Sequence, residues 1–447
     1  MLIEYSVENF RSIADPITFT MLPARGLSKP NNLIQLKNNK NIKKLLKSSV
    51  VFGANASGKS NVIFALSVMK NLILNSKNNN AGDPVGGYFP FVLDSVHSNK
   101  PTIFKIHFIK DAIEYKYSFS FNSNRIIDEE LISYSGKKEQ RLFKRTIDDF
   151  EPGLDHLELK NLFKNTGENV LFLSKANNEY NRFRPVFEWF NKNVVIIGSM
   201  ISQFVYPLNP EVTISFMNTS EENKQKVLKL LNHADFDIFD ISGRNIEFKN
   251  FNVMENIKDV FISIADEIGK KELTEDKFDS NAFRNDVKIK QIKPVNIPEL
   301  KSVRKKEDGS IIVKDFIPFE SAGTNQFFNI IGYWLNALQE ENQVLVIDEF
   351  DLRLHPDLQY YLVQLFHDPE INNKNSQLII TTHNTKLLTL NLFRREQIAF
   401  TEKDPRTKST KILSLYDYEK RQDRSVEKNY FLGRYGGLPD ITYGRIQ

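Results

Sequence analysis

The chain of 447 residues contains no cysteine. Without thiols it can form neither a disulfide framework nor a thiolate zinc site, so both of those structural classes are excluded. No apolar run approaches the roughly 20 residues that a membrane-spanning helix needs, and no cleavable signal pattern follows Glu4. We therefore expect a cytoplasmic protein that does not enter a membrane.

A strong charge of one sign is also lacking. The net charge is only +4, with 26% charged and 40% hydrophobic residues, which is ordinary for a globular protein and does not by itself predict a nucleic-acid binder. No long heptad repeat is present, so extended coiled coils are excluded. The segment after His383 has no acidic cluster at nuclease spacing. If the protein works with a nuclease, we expect a separate chain to supply it.

The most informative pattern in the sequence is VVFGANASGKSN at residues 50–61. The spacing G-x-x-x-x-G-K-S between a buried strand and a helix is typical of a phosphate-binding loop. Gly53 and Gly58 let backbone N–H groups turn inward around phosphates. Lys59 would reach the β- and γ-phosphates, and the Ser60 hydroxyl would bind Mg²⁺. The alternative is a glycine-rich structural turn.

A second pattern, VLVIDE at residues 344–349, predicts a buried parallel strand with two carboxylates at its carboxyl end. Open α/β sheets bind ligands at that edge. Asp348 would hold Mg²⁺, directly or through water, and Glu349 would polarise the attacking water. The alternative is an ordinary strand followed by an acidic turn.

A third apolar strand, residues 377–382, ends at His383. A histidine in that place can hydrogen-bond a γ-phosphate, although a capping or packing histidine is the simpler explanation when it is considered alone. Its position after the carboxylate strand favours the phosphate contact.

The fourth motif, FESAGTNQ at residues 319–326, opens a periodic apolar helix with small residues. Unpaired N–H groups at such a helix start form an anion site. Since one nucleotide already has its phosphate loop, this site would serve a nucleotide held by another subunit. An ordinary Ser/Thr helix cap is the alternative.

Together the motifs GANASGKS, ESAGTNQ, VLVIDEFD and TTHN resemble, in type and order, those of ABC-type ATPase heads, in the branch with SMC-like, RecF-like and overcoming-lysogenization-defect (OLD) proteins. The chain is similar in particular to the AAA-type ATP/GTP phosphatases of abortive-infection and other anti-phage operons, of the AbiLi and RloA type. Three details carry this narrower match: the phosphate loop GANASGKSN, the signature ESAGT, and the tail YFLGRYGGLP at residues 430–439. The similarity covers most of the chain and is weakest over residues 200–300.

The resemblance implies an α/β P-loop NTPase fold of the ABC-ATPase head type, with ATP and Mg²⁺ as cofactors. It implies nucleotide contacts for Arg11, Gly53, Asn55, Gly58, Lys59, Ser60 and Asn61. It implies Mg²⁺ ligands at Ser60 and Asp348, and catalytic roles for Glu349 as base and His383 as γ-phosphate switch. It implies contacts to the partner subunit's nucleotide for Ser321, Gly323, Thr324 and Asn325. No glutamine loop is evident, and Thr324-Asn325 stands where the family has Gly-Gln.

Three regions are expected along the chain. Residues 1–150 would form a β-rich N-terminal half of the head, including a β-hairpin from the alternating residues 102–108 and 113–119, with His107 at a solvated position. Residues 151–304 would form an inserted, mainly helical lid or regulatory domain, with helices near 182–191 and 221–231. Residues 305–447 would form the C-terminal half, with the signature, the carboxylate strand and His383.

The resemblance also implies a homodimer or higher oligomer, with ATP sandwiched between heads, that controls an effector encoded nearby, such as a TOPRIM-type nuclease, in anti-phage defence. Nucleic acid and phage proteins are further candidate partners. One basic segment could contact a phosphate backbone or be a solvated loop: Lys288, Lys290, Lys293, Lys301, Arg304, Lys305 and Lys306. The alternatives are a DNA-binding repair ATPase of the RecF kind and a scaffold that holds ATP with little turnover.

Overall fold

The computed structural model describes residues 1–447 apart from 27, 38, 154–155, 178, 199–207, 248–295, 419–424 and 439–447. The chain forms two compact units. The first contains Met1–Asn209 and Tyr333–Gln447, and the second contains Pro210–Gly332.

The described strands, in chain order, are β1 (Leu2–Glu8), β2 (Ile17–Thr20), β3 (Leu33–Gln35), β4 (Lys44–Leu46), β5 (Ser48–Gly53), β6 (Thr102–Lys110), β7 (Ile113–Phe121), β8 (Ile126–Ser135), β9 (Lys138–Arg145), β10 (Phe150–Pro152), β11 (Val194–Ile197), β12 (Asp240–Glu247), β13 (Asn296–Lys305), β14 (Ile311–Asp315), β15 (Val344–Ile347), β16 (Gln377–Thr381), β17 (Ile398–Lys403) and β18 (Thr410–Ser414). The described α-helices are α1 (Lys59–Asn75), α2 (His156–Lys164), α3 (Phe172–Ala176), α4 (Arg184–Glu188), α5 (Pro210–Asn218), α6 (Glu221–His233), α7 (Phe316–Phe319), α8 (Ala322–Gln339), α9 (Pro356–His367) and α10 (Val426–Phe431). None of these helices combines the length and apolar character that crossing a membrane requires.

The first unit is built on two large sheets. One has the strand order β10-β9-β8-β7-β6-β1-β2 and is antiparallel throughout. The other has the order β11-β15-β16-β5-β17-β18, in which every pair but the last is parallel. The strand predicted before the phosphate loop, the carboxylate strand and the strand before His383 are therefore confirmed as β5, β15 and β16.

Helix α1 belongs to the core of this unit. Eleven of its 17 residues are buried, including Ala65 and Met69 on its middle turns. A helix that is apolar on most sides is stable only when other elements cover it. The same core cluster contains Phe104 from the antiparallel sheet and Val51 from the parallel sheet, so α1 shares one apolar core with both sheets.

The predicted hairpin is confirmed as β6 and β7, which pair from Thr102 with Phe121 to Lys110 with Ile113. Asp111 and Ala112 join the strands with φ of 52° and 62°. Two consecutive positive φ values are the geometry of the turns that match strand twist in tight hairpins.

The prediction that His107 is solvated is wrong. Its side chain is only 12% exposed, and its Nε2 atom lies 2.7 Å from Glu114 Oε1 on the neighbouring strand. Alternation along one strand could not reveal this pairing, because the partner side chain comes from β7. Burial lowers the pKa of His107, while the contact with Glu114 raises it.

The second unit combines helices with a small sheet. Helices α5 and α6 precede an antiparallel sheet of order β12-β13-β14, and α7 and the first turns of α8 follow it. Ser220 caps α6 by accepting a hydrogen bond from the Asn223 N–H, and the helix predicted over 221–231 is confirmed.

The observed units differ from the predicted division at 151 and 304. Residues 151–209 group with the first unit because Leu171, Trp189 and Val194 belong to its core cluster. The described part of the second unit contains three strands as well as helices, so the expectation of a mainly helical insertion does not describe it. The helix expected over 182–191 is also interrupted, because α4 ends at Glu188 and a π-helical segment, Trp189–Asn193, follows.

One buried histidine makes the stability of the first unit depend on pH. His367 ends α9, is 8% exposed, and its Nε2 atom lies 2.7 Å from the Ser48 hydroxyl on β5. Burial, with further repulsion from Lys47 and Lys29, lowers the pKa of His367 to about 3. In the unfolded chain His367 takes up a proton near pH 6.5, whereas in the folded chain it stays neutral until the pH is much lower. The stability that the neutral, buried His367 provides is therefore complete above pH 6.5 and is lost as the pH falls.

We therefore expect His367 to reduce the free energy of unfolding by about 2 kcal/mol between pH 7 and pH 5. The matched variant is His367→Gln, whose amide can still hydrogen-bond Ser48 but does not titrate. Denaturant unfolding followed by tryptophan fluorescence at both pH values should show a smaller loss for this variant than for the wild type. Equal losses would contradict the assignment.

Candidate functional site

Parallel pairing brings three loops of the first unit to one edge. Strand β16 pairs with β5 on one side and β15 on the other, all in the same direction. The carboxyl ends of these strands therefore lie side by side, which is the edge where open α/β sheets bind ligands. The loop after β5 is the predicted phosphate loop, the loop after β15 carries Asp348 and Glu349, and the loop after β16 carries His383.

The predicted phosphate loop is tightly enclosed at its first glycine. A Cβ atom on Gly53 would lie 2.3 Å from Thr401 Oγ1 and 2.5 Å from Ser57 Oγ, so no other residue fits there without a shift. The Ser57 and Thr401 hydroxyls are themselves 2.7 Å apart. Gly58 has φ of 107° immediately before α1 begins at Lys59, and Asn55 is exposed on the loop. This is the strand, loop and helix order that phosphate binding requires.

Lys59 is buried among oxygen atoms of its own loop. Its Nζ atom donates to Gly53 O at 2.8 Å and Ala54 O at 3.2 Å, and lies 2.9 Å from His383 Nε2. Burial lowers the pKa of Lys59, and three nearby carboxylates raise it: Asp348, Asp351 and Glu349. A cation thus stands at the start of α1, where the helix dipole also favours anions.

The two carboxylate residues are held by one hydroxyl group. Thr381 Oγ1 donates to Asp348 Oδ1 at 2.5 Å and accepts a hydrogen bond from the Glu349 N–H at 2.8 Å. The Ser60 hydroxyl also hydrogen-bonds Asp348. Burial raises the pKa of Asp348, and the bonds from Thr381 and Ser60 lower it.

Glu349 adopts an unusual backbone conformation, with φ of 55°. A residue with a side chain pays on the order of 1–3 kcal/mol for such a conformation unless its surroundings enforce it. Here the flanking residues are fixed, because the Asp348 N–H donates to Ile197 O and the Phe350 N–H donates to Thr381 O.

His383 is exposed, but its ring is partly desolvated where it meets Lys59. This desolvation lowers the pKa of His383, and repulsion from Lys59 lowers it further, against the attraction of three carboxylates. The lowered pKa favours the uncharged ring, which can donate or accept a hydrogen bond.

Two further predicted nucleotide contacts lie beside the phosphate loop. The Asn61 amide on α1 donates to the Ser12 hydroxyl at 2.6 Å, and that hydroxyl is 2.7 Å from Thr410 Oγ1. The guanidinium of Arg11 lies 4.9 Å from the centre of the Phe64 ring on the same helix. The turn after β1 is thereby attached to the first turns of α1.

The four predicted signature residues, 321 and 323–325, belong to the second unit. The Ser321 hydroxyl accepts a hydrogen bond from the Thr324 N–H at 3.1 Å, which is the geometry of an ordinary helix cap. The Asn325 amide donates to three backbone oxygens, of Ile317, Glu320 and Ser321. Gly323 lies in the first turn of α8.

In the described part of the basic segment, three side chains make ion pairs or contact an aromatic ring. Arg304 donates to Glu320 at 2.7 Å, and Lys301 lies 3.2 Å from Glu299. Lys305 lies 4.0 Å from the centre of the Phe239 ring. Lys288, Lys290 and Lys293 lie outside the described residues.

Sequence reasoning missed three residues of this site. Asp351 acts on the pKa of both Lys59 and His383, and one of its oxygens is buried without a hydrogen-bond partner in the described part of the chain. Thr381 links the two carboxylates, and Thr410 donates to Ser57 O behind the loop. The fourth letter of DEFD could have indicated Asp351, whereas no local pattern distinguishes the two threonines.

The donor set fits the cofactors that the motifs predict. Mg²⁺ prefers oxygen ligands and binds through one or two protein groups plus phosphates. The Ser60 hydroxyl and the Asp348 carboxylate supply such oxygens and are already in contact. Lys59 and the N–H groups of the loop would face phosphate oxygens.

Comparison with known proteins agrees with the site. The family model described as "AAA domain, putative AbiEii toxin, Type IV TA system" matches residues 48–190 and 203–389, which together make up more than half of the chain. The solved SMC head domain from Thermotoga maritima is similar at 11% identity and a TM-score of 0.36, covering 92% of this chain and 98% of that one, a likeness too loose to carry an argument. No curated protein matches. The chain therefore belongs to this AAA-domain family, described as AbiEii toxin-like.

Proposed function

We propose that the protein binds and hydrolyses ATP with Mg²⁺, and that the nucleotide state of its heads controls a partner effector. One observation carries the first part of the proposal: Lys59, Asp348 and His383 converge at the carboxyl edge of a single parallel sheet. A cation, a carboxylate suited to a metal ion and an imidazole at one edge suit phosphoryl transfer to water.

Each residue has a role that its surroundings support. Lys59 would exchange its loop carbonyl contacts for phosphate oxygens, while Ser60 and Asp348 would hold the metal. Mg²⁺, when bound, supplies positive charge that offsets the negative charge of the phosphates. Glu349 would accept a proton from the attacking water. His383 would hydrogen-bond the γ-phosphate.

The regulatory part of the proposal rests on the family and on the signature motif. The chain would form a cytoplasmic homodimer in which Ser321, Gly323, Thr324 and Asn325 of one subunit contact the nucleotide of the other. Bound ATP would favour the paired heads because it makes contacts there that separated heads lack. The paired heads would restrain or recruit an effector, such as a nuclease, in anti-phage defence.

Removing the Lys59 ammonium should abolish nucleotide binding. The Lys59→Ala variant loses the cation that faces the phosphates, so we expect its Kd for Mg-ATP to rise at least about 100-fold, since charge-assisted bonds are about twice as strong as neutral ones and several are lost together. Lys77→Ala, just after the other end of α1, is the matched control and should bind as the wild type does. Titration calorimetry makes the comparison; comparable affinities for both variants would refute the role of Lys59.

Removing the proposed base should separate binding from turnover. Glu349→Gln keeps the size and the backbone turn but cannot accept a proton, so we expect kcat to fall by roughly 10²–10⁴-fold with nucleotide binding retained. Glu341→Gln, in the turn that precedes β15, should hydrolyse ATP normally. Phosphate release gives kcat, and mass photometry with and without Mg-ATP gives the assembly. If the Glu349→Gln variant shows the same oligomer distribution with and without Mg-ATP, the result would contradict the sandwich dimer.

The effector proposal needs the neighbouring gene product. In mass photometry, we expect the purified product of the neighbouring gene to bind the Glu349→Gln variant only when ATP is present. It should not bind the Lys59→Ala variant. A neighbour that is never captured, together with ATP turnover stimulated by duplex DNA and sensitive to salt, would instead favour a DNA-repair ATPase.

A further inference from the structure

The segment Ser425–Leu438, here called the tail segment, has no role in the site described so far. It consists of α10 followed by a turn with three glycines, and two of its aromatic rings, Tyr430 and Tyr435, are buried. Both rings stack on Phe400 of β17, with ring centres 5.7 and 5.2 Å away. The tail segment is therefore fixed against the strand that pairs with β5.

At its end the tail segment reaches the phosphate loop itself. A Cβ atom built on Gly437 would lie 3.2 Å from Gly53 Cα and 3.3 Å from Thr401 O. Gly53 is the first glycine of the loop, and Thr401 already encloses it from the side of β17. Backbone thus packs closely on backbone at this point, and a methyl group on Gly437 would be a tight fit that needs a small shift of its neighbours.

A hydrogen bond fixes this contact. The Tyr430 hydroxyl donates to Gly437 O at 3.0 Å, and the Tyr430 ring lies 6.4 Å from Phe52, the residue that precedes Gly53. The Tyr418 hydroxyl similarly donates to Tyr435 O at 3.0 Å. The hydroxyl groups of Tyr430 and Tyr418 therefore hold the glycine turn of the tail segment in place beside the phosphate loop.

The same segment also contacts the loop that follows His383. The Thr385 hydroxyl donates to Glu427 Oε1 on α10 at 2.7 Å. The tail segment therefore contacts both the phosphate loop and the loop after His383, although it is distant from both in sequence.

We propose that the tail segment is a positioning element for the phosphate loop: Gly437, held by Tyr430, packs against Gly53 and keeps the loop in its phosphate-binding conformation. The inference rests on the proposed nucleotide binding, and it adds residues that act on the nucleotide only through the loop. A loop held in one conformation before binding gives higher affinity, because less freedom is lost when the phosphates arrive.

Two glycines of the tail segment allow a matched test. Gly437 and Gly433 have φ of 70° and 72°, so alanine strains the backbone equally at both. Only at Gly437 would the new methyl group meet Gly53, since nothing lies within 4 Å at Gly433. We expect Gly437→Ala to weaken Mg-ADP binding by about tenfold or more, since small displacements of a binding group have large effects. Gly433→Ala should bind within about twofold of the wild type, because neither the loop nor its neighbours move.

Titration calorimetry with Mg-ADP gives the affinities, and thermal unfolding shows whether the two variants are equally folded. Unchanged affinity in Gly437→Ala, or equal losses in both variants, would overturn the proposal. If Gly437→Ala does not fold, Tyr430→Phe decides, because it removes only the hydroxyl: weaker Mg-ADP binding at an unchanged unfolding midpoint supports the proposal, and unchanged binding overturns it. A wild-type chain that does not bind Mg-ADP would refute the proposed function itself.

Discussion

The parallel register of β5, β15 and β16 is the constraint on which the site depends. Their buried apolar residues pair backbone to backbone, Val50 with Ile380 and Ile380 with Ile347, so the last residue of each strand has a fixed height at the sheet edge. A slip by one residue would turn every side chain to the opposite face. Since both faces of this sheet are buried, such a slip would disrupt the packing of the core on each face, and the register therefore determines where the phosphate loop and the His383 loop begin.

Burial of opposite charges gives this edge its chemical character. Desolvation pushes Lys59 and Asp348 toward their neutral forms, and their mutual attraction opposes that tendency. The Thr381 hydroxyl donates a hydrogen bond to Asp348, Lys59 donates to loop carbonyls, and these bonds fix the charged groups in place. Such preorganised groups need little rearrangement when charge develops nearby, which is how protein sites stabilise phosphoryl transfer. The strained turn at Glu349 belongs to the same arrangement, because its neighbours enforce it through hydrogen bonds.

Local patterns were sufficient to predict the parts of the site that lie on single segments. The apolar runs before Gly53 and Asp348, the glycine spacing and the alternation in the hairpin each depend on neighbours in sequence, and the structure contains those strands and that helix start. Contacts between distant segments could not be predicted: Thr381 beside Asp348, Thr410 against Ser57, and Gly437 against Gly53. The boundary at Pro210 was missed for the same reason, because the packing of residues 151–209 on a distant core decides it.

The position of β5 also bears on how the protein is made. Its two partners in the sheet are β16 and β17, more than 300 residues later in the chain. At 5–20 residues per second, a ribosome needs on the order of tens of seconds to make the intervening sequence. During that time the apolar Val50-Val51-Phe52 run has neither neighbour, and contacts this distant form slowly even in the complete chain. The nascent protein therefore has to keep its phosphate loop strand from aggregating until β16 and β17 have been synthesised, a demand that chaperones are suited to meet.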